Sequence, residues 1–301
     1  MRVAFVTTID DEAIEDDVDL DLEKLAFAAA GVELHLAPWE DESVEWTSFD
    51  LVVVRTPWNY VEHLPAFRRW LAGLDATTRL WNPAPVIEWN LDKRYLLDLS
   101  SRGVAIVPTA YIDSVAEFRD SVSSIETGEF IVKPSISAGS RLTGRFSVGD
   151  PHAESLAMQI IGAGLIVMVQ PLASSVDHLG EIGTVVFDGE VSHSFRKGPI
   201  LASGGELIGG AYREDISPIR APDDVLALVR EASAVATDHV RAMQWMGRDE
   251  ELLYARFDVV RLDDRSPALL EAELFEPCFF LPTDPAAVDR FVTAVLARLA
   301  G

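Results

Sequence analysis

The chain has a single cysteine, Cys278, so no disulfide can form within it, and a reducing, cytoplasmic setting fits. Basic residues are scarce as well. Lys and Arg number 25 against 49 Asp and Glu, a formal net charge of −24. A field of that sign repels a phosphate backbone and argues against a nucleic-acid partner. It does not exclude a nucleotide, because local cations or a metal override a global field. No apolar run approaches a membrane span, and the N-terminal MRVAFVTTIDDE is too short an apolar stretch for a secretory signal. The P-loop pattern G-x-x-x-x-G-K-[ST] and the dinucleotide pattern G-x-G-x-x-G are both missing. No Ser-His-Asp or Cys-His arrangement suggests a side-chain nucleophile.

The composition, 49% hydrophobic and 25% charged over 301 residues, is that of a folded chain with room for two or three compact units. Residues 2–7, 32–36 and 51–55 read as strands, with a helix over 19–30 closed by Gly31. Strand–helix–strand order suggests a small parallel α/β unit, whose ligands sit beyond the C-terminal strand ends. The third strand ends in Arg55-Thr56-Pro57-Trp58-Asn59-Tyr60, so Arg55, Trp58, Asn59 and Tyr60 are candidate substrate contacts. A proline-initiated turn with a packed tryptophan is the alternative. The acidic stretch 10–17 reads as solvated surface or as a lid.

Residues 82–85, Asn-Pro-Ala-Pro, read as a linker. Lys93 then falls in the first turn of a helix expected to reach 101, where a cation opposes the helix dipole, and this points to an anionic ligand. The segment 129–146, EFIVKPSISAGSRLTGRF, reads as a strand ending at Lys133, a long loop and a second strand. Its loop carries Ser135, Ser137, Ser140 and Thr143 with Gly139 and Gly144, and arginines at 141 and 145. That is the composition of a phosphate cradle on a hairpin, or of a mobile surface hairpin. An apolar strand over 165–170 runs into Gln170-Pro171-Leu172. Glu181 precedes the strand 182–187, and Asp188-Gly189 marks a tight hairpin. The return strand carries His193, which reads as packed, and then Arg196 and Lys197, which suit a carboxylate or phosphate. The Gly-rich stretch 203–210 is a second candidate for closure over a ligand. Helices are expected over 223–241 and 285–299.

Residues 254–277 read as two strands around a turn. If Asp263 faces Ser266, Asp258 faces Glu271 and Arg256 faces Glu273, all on one face. The other face then carries Ala255, Phe257, Val259, Leu270, Ala272 and Leu274 as core. Three carboxylates crowded among apolar neighbours repel one another and lose solvation. A divalent cation relieves both, and hard oxygen ligands suit Mg²⁺. A salt-bridged outer face is the alternative, and a one-residue slip would disperse the cluster.

This ordered series of Lys133, Gly-rich hairpin, Gln170-Pro171-Leu172, Glu181, and Asp258 with Glu271 and Glu273 resembles the ATP-grasp superfamily over most of the chain. The resemblance implies an α/β (α+β) architecture with an N-terminal parallel α/β domain, 1–90. A central ATP-grasp subdomain, 91–172, and a C-terminal one, 173–301, would clasp ATP between them. It implies that Lys93 and Lys133 contact the phosphates and that Ser135, Ser137, Gly139 and Ser140 belong to the loop covering them. The backbone of Gln170, Pro171 and Leu172 would read the adenine edge, and Glu181 would hold the ribose. Asp258, Glu271 and Glu273 would hold two Mg²⁺ ions, although the family commonly has Asn at the last position. Arg256 would stabilise the transferring phosphoryl group, and Arg196 and Lys197, from their charge and place on the return strand, are the other candidate catalytic residues. The implied reaction phosphorylates a carboxylate and passes the acyl phosphate to a nitrogen nucleophile. The segments RTPWNY, SHSFRKGP and ELFEP are similar to the D-cycloserine synthetase type. That type implies a small amino-acid substrate, O-ureido-D-serine, closed on itself. An intermolecular carboxylate–amine ligase of the glutathione-synthetase or RimK-like kind, and a nucleotide-binding regulator without turnover, are the alternatives. The family is often dimeric, but no exposed apolar stripe marks a homodimer face.

Overall fold

A computed structural model describes residues 1–10, 14–75, 78–125, 128–199, 201, 205–207 and 215–300. Four parallel strands form the first sheet: β1 (Arg2–Thr7), β2 (Glu33–Pro38), β3 (Leu51–Val54) and β4 (Leu80–Trp81), in the order β2-β1-β3-β4. Of the two central strands, β3 is apolar throughout and β1 from Val3 to Val6, because both faces are covered. Val3 and Phe5 pack with Phe27 of the helix Leu20–Ala29, while Ala4 and Val6 pack with Phe67 and Leu71 of the helix Leu64–Asp75.

The second sheet is antiparallel and contains β5 (Ala110–Ile112), β6 (Glu129–Pro134), β7 (Thr143–Ser147) and β8 (Val167–Pro171). The third contains β9 (Glu181–Phe187), β10 (Glu190–Lys197), β12 (Ile216–Ile219), β13 (Tyr254–Arg261) and β14 (Pro267–Glu273), in the order β12-β10-β9-β13-β14. Asp188 and Gly189, at φ 50° and 79°, make the tight β9–β10 turn. The short strand β11 (Glu206–Leu207) joins the second sheet beside β7, so a boundary at 172/173 does not divide the sheets cleanly. Nor does a boundary at 90/91 divide the core. Phe291 of the last helix, Ala287–Ala300, packs against Phe5 and Phe27 and against Phe187 of β9.

Residues 82–85 are not a linker. Pro83 leads directly into the helix Ala84–Asn90, and Asn82 is fully buried. The reason lies at the free edge of β14. An edge strand in a covered position must satisfy its outward N–H and C=O groups. Here the Leu269 N–H donates to the Ala105 carbonyl, and the Leu269 carbonyl accepts from Val107, both at 2.9 Å. Next along the edge, the Ala272 N–H donates to the Tyr95 hydroxyl at 2.7 Å. Asn90 then donates to the Ala272 carbonyl at 2.9 Å and accepts from the Leu274 N–H at 2.7 Å. Asn82 donates to the Leu274 carbonyl at 2.6 Å and accepts from the Leu253 N–H at 2.8 Å. Side chains from 82–95 thus stand in for a missing neighbouring strand.

The β13–β14 register places Asp258 opposite Glu271 and Arg256 opposite Glu273, as the sequence pattern suggests. It arrives there differently. The Leu262 N–H bonds to the Ser266 carbonyl at 2.9 Å, enclosing residues 263–265, so the turn is one residue wider than Asp263 facing Ser266. A bulge between the Asp258 and Val259 pairs absorbs the difference, leaving Leu270 unpaired. Leu269, not Leu270, therefore enters the core, and Leu270 turns to the cleft.

Replacing Asn90 by Leu keeps the volume roughly but orphans the Ala272 carbonyl and the Leu274 N–H. The expected loss is about 1–3 kcal/mol for each group, read by urea denaturation. A variant as stable as the parent would show that the edge is satisfied otherwise.

Candidate active site

The three sheets meet around a cleft of about 1410 Å³. Its floor comes from β13 and β14, one wall from β6 and β8, and another from the loop after β3. Strand alternation and the bulge bring Arg256, Glu271 and Glu273 to the floor. Asp258 lies just behind them, buried.

Each of these carboxylates faces a cationic side chain. Lys93 Nζ lies 3.0 Å from Glu271 Oε1 and donates to the Ser137 carbonyl at 2.9 Å. Lys197 Nζ lies 3.2 Å from Asp258 Oδ2 and 3.7 Å from Glu181. The Arg256 guanidinium forks onto Asp258 at 3.0 and 2.9 Å and also contacts Glu273. Against the penalty of burial, Arg256 and then Lys197 hold the Asp258 carboxyl down at about 2. Burial pushes Glu273 up to about 7, and Glu271 and Asp258 add repulsion that Arg256 does not offset. Burial likewise lowers the Lys133 ammonium and raises the Glu181 carboxyl. The chain has four lysines, and three of them, Lys93, Lys133 and Lys197, line this one cleft. That scarcity was a signal available in the sequence.

Among the described residues no three acids form a ready-made metal cluster, because the carboxylates are turned to these cations. The donor set nonetheless fits a hard divalent ion. Glu273 remains crowded by two other carboxylates despite Arg256. The cleft cations likewise suit a polyphosphate. Ser137, Gly139 and Ser140 line the cleft, with Gly139 and Ser140 at φ 57° and 55°, a left-handed turn that brings backbone close to a ligand. Gln170, Pro171 and Leu172 line it too. The Leu172 N–H is already given to the Glu129 carbonyl at 2.9 Å, so that donor does not read a base edge.

Other expected contacts lie elsewhere. Ser135 does not line the cleft; its carbonyl accepts from the Lys93 N–H at 2.8 Å and fixes that residue, which precedes the helix Tyr95–Ser101 and is not within it. Gly144 sits in β7 under the Phe146 ring, where a Cβ would come within 2.5 Å, so its small size serves packing. Arg145 is held by Asp177 and Glu129. Arg196 points away from Lys197, as neighbours on a strand do, and donates to the Leu179 carbonyl at 2.7 Å, so it is not placed for catalysis. His193 is buried and bonded to the Phe279 carbonyl at 2.7 Å.

Of the four residues after β3, only Trp58 lines the cleft. Asn59 accepts from the Trp39 indole at 2.9 Å. Tyr60 is buried, donating to Glu276 at 2.5 Å. Arg55 is fully buried, 3.0 Å from Glu23, 3.5 Å from Asp19, and stacked 3.7 Å above the Phe279 ring. It also donates to the Pro277 carbonyl at 2.7 Å. Its role is to tie the first sheet to the chain just past β14. Glu15 and Asp16 of the acidic stretch border the cleft, while 11–13 and most of 203–210 lie outside the described residues. Glu276, Cys278 and Phe280 also line the cleft and were not picked out as site residues.

Arg55→Met should cost about 3–5 kcal/mol in denaturant unfolding, since Asp19 and Glu23 lose their buried cation. Full stability with weakened substrate binding would instead restore Arg55 as a substrate contact. Burial pushes the Glu23 carboxyl up to about 8, against the pull of Arg55. The native state thus holds that proton more tightly than the unfolded chain. Its stabilising contribution is complete below the unfolded value near 4.5 and is lost as pH rises to about 8. Glu23→Gln should flatten that decline in melting temperature between pH 5 and 8. An unchanged slope would place the titration elsewhere.

Comparison with known proteins bears on the fold and the family. Residues 3–82 match a family described as D-cycloserine synthetase DcsG, N-terminal domain. The cycloserine biosynthesis protein DcsG of Streptomyces lavendulae is 34% identical over 298 residues, 96% of this chain and 97% of that protein. The crystal structure of D-cycloserine synthetase DcsG is 31% identical and superposes with a TM-score of 0.89, covering 99% of this chain and 100% of that one. D-alanine–D-alanine ligase from Bacillus anthracis, 14% identical at a TM-score of 0.62 over 100% of this chain and 97% of its own, shares the fold.

Proposed function

The chain belongs to the DcsG family of ATP-grasp carboxylate–amine ligases, and from that premise we propose that it closes O-ureido-D-serine into D-cycloserine at the expense of ATP. The observation that carries the reading is the convergence of Lys93, Lys133, Lys197 and Arg256 on Glu271, Glu273 and Asp258 in one cleft. The full-length likeness to DcsG supports the choice of substrate.

In this reading a substrate carboxylate oxygen attacks the γ-phosphorus of ATP and ADP leaves. The ureido nitrogen bonded to oxygen then attacks the acyl carbon, phosphate departs, and the five-membered ring closes. Water releases the carbamoyl unit as carbon dioxide and ammonia. Asp258, Glu271 and Glu273 would hold Mg²⁺, two ions in the fullest version, which neutralises charge developing on the phosphoryl oxygens.

The chain's own residues do the rest. Lys93 and Lys197 are placed to exchange carboxylate for phosphate partners. Arg256 is fixed by Asp258 and by the Cys278 carbonyl at 3.0 Å, so it is rigid before charge develops. Lys133, with its ammonium weakened by burial, lies at the phosphate end of β6. Ser137, Gly139 and Ser140 shield the acyl phosphate from water. The acidic balance of the chain suits a small substrate without excess negative charge, and the reading needs neither nucleic acid nor membrane.

Mass spectrometry of a reaction containing ATP, Mg²⁺ and O-ureido-D-serine should give D-cycloserine and ADP in equal amounts, with no added amine. ADP formed only when a separate amine is supplied would favour an intermolecular ligase. ATP binding without substrate-dependent ADP would indicate a regulator.

A further inference from the structure

Among the described residues that line the cleft, Glu276 is the one buried carboxylate without a cationic partner. It follows Glu273 by three residues, where the chain leaves β14 towards the first sheet. Its Oε1 accepts from the Tyr60 hydroxyl at 2.5 Å. Its Oε2 is buried and has no hydrogen-bond partner. The surroundings hold it still. The Trp58 indole donates to its carbonyl at 3.1 Å, and the Tyr60 ring packs against Phe67 and Phe275 with centroids 5.2 and 5.4 Å away.

A buried carboxylate oxygen with nothing to accept from is costly, and such atoms call for explanation. Burial pushes this carboxyl well above the usual range despite Tyr60, and the charges of Glu273 and Glu271 add to the push while Lys93 opposes it. A cation bearing N–H donors removes both penalties together. A metal ion fits poorly, because Glu276 offers only one free oxygen.

We propose that Glu276 receives the α-ammonium group of the substrate, so that the cleft takes a zwitterionic amino acid and rejects the matching simple acid. This rests on the reading of the cleft as a carboxylate-activating site. In an α-amino acid the ammonium and the carboxylate share one carbon. The group that binds the ammonium must therefore adjoin the place where the carboxylate meets phosphate. Glu276 meets that requirement, since it lines the same cleft as Lys93, Glu271 and Glu273 and stands three residues past Glu273. Glu15 and Asp16 also line the cleft and disfavour a second negative charge on the substrate. The occupant is then an amino acid with an uncharged side chain.

The test measures ADP release with O-ureido-D-serine, with a panel of small neutral D- and L-amino acids, and with each one's des-amino counterpart. The wild-type enzyme should favour the amino form by about 100-fold in kcat/KM. Glu276→Gln should bring that ratio close to one, chiefly through KM, with KM for ATP unchanged. Tyr60→Phe, which leaves Glu276 in place but unanchored, should lower the ratio less. Comparable wild-type turnover of des-amino acids overturns the inference, as does a folded Glu276→Gln that keeps the full ratio. Should Glu276→Gln fail to fold, the wild-type ratio and Tyr60→Phe decide. Product identity judges ring closure separately, because another amino acid driving ADP release would sink that reaction and still report on Glu276. Release driven by no amino acid overturns both.

Discussion

The covered edge of β14 is the constraint on which the rest depends. Strand β14 carries Glu271 and Glu273 and leads into Glu276, yet it is the last strand of its sheet. Left open, its outward backbone groups would face water or another chain and its register would be weakly set. Asn82, Asn90 and Tyr95 close it with side chains, and Ala105 and Val107 with backbone. The spacing of those contacts matches the bulge. Leu269 and Ala272 both point outward although three residues apart, which a regular strand does not allow. The edge contacts and the bulge therefore specify one register between them, and that register is what puts Glu271 opposite Asp258.

The electrostatics follow from that placement. A net charge of −24 coexists with a cleft in which Lys93, Lys133, Lys197 and Arg256 converge. Without them, buried carboxylates on adjacent strands would repel and take up protons. With them, Asp258 stays ionised while Glu273 is poised near neutrality. Cations that hold the carboxylates apart in this way are the same groups a triphosphate needs. The ion pairs thus keep the site folded and charged before any ligand arrives, at the cost of desolvation that hydrophobic residues would not incur.

Much of this was readable from residue order, and the misreadings share a cause. Strands with uniform apolar runs and the Asp188-Gly189 turn announce themselves locally. The pairing of Asp258 with Glu271 was reached through a turn one residue too tight, because a bulge leaves no mark in the alternation pattern. Arg55 and Arg196 carry the charge that phosphate or carboxylate contacts require, but long-range partners decide what a guanidinium does. Arg55 meets Asp19, Glu23 and Pro277, the last 222 positions away, and Arg196 meets the carbonyls of His178 and Leu179. Asn82 looked like a linker residue because its neighbours are prolines, whereas its partners are Leu253, Tyr254 and Leu274. Glu276 was hidden in the same way, since nothing nearby in sequence shows that Tyr60 takes one of its oxygens and leaves the other.

The division of the core bears on which part moves. Phe5, Phe27, Phe187, Phe279 and Phe291 lie in one apolar cluster, so the first and third sheets share an interior and cannot part without exposing it. The second sheet has its own cluster, built on Phe118, Phe130, Phe146 and Leu156. Met168 and the partly buried Tyr111 are its apolar links to the large core. Across the mouth of the cleft, its loop reaches the first sheet through Ala138, packed on that sheet's apolar cluster, and through the exposed Arg141–Glu62 pair. An exposed pair of this kind contributes about 0–1 kcal/mol. Opening the cleft by moving the second sheet therefore sacrifices little packing, whereas moving the first sheet from the third would break the β14 edge. The packing therefore binds the first and third sheets into one unit and leaves the second sheet with less apolar surface shared with them.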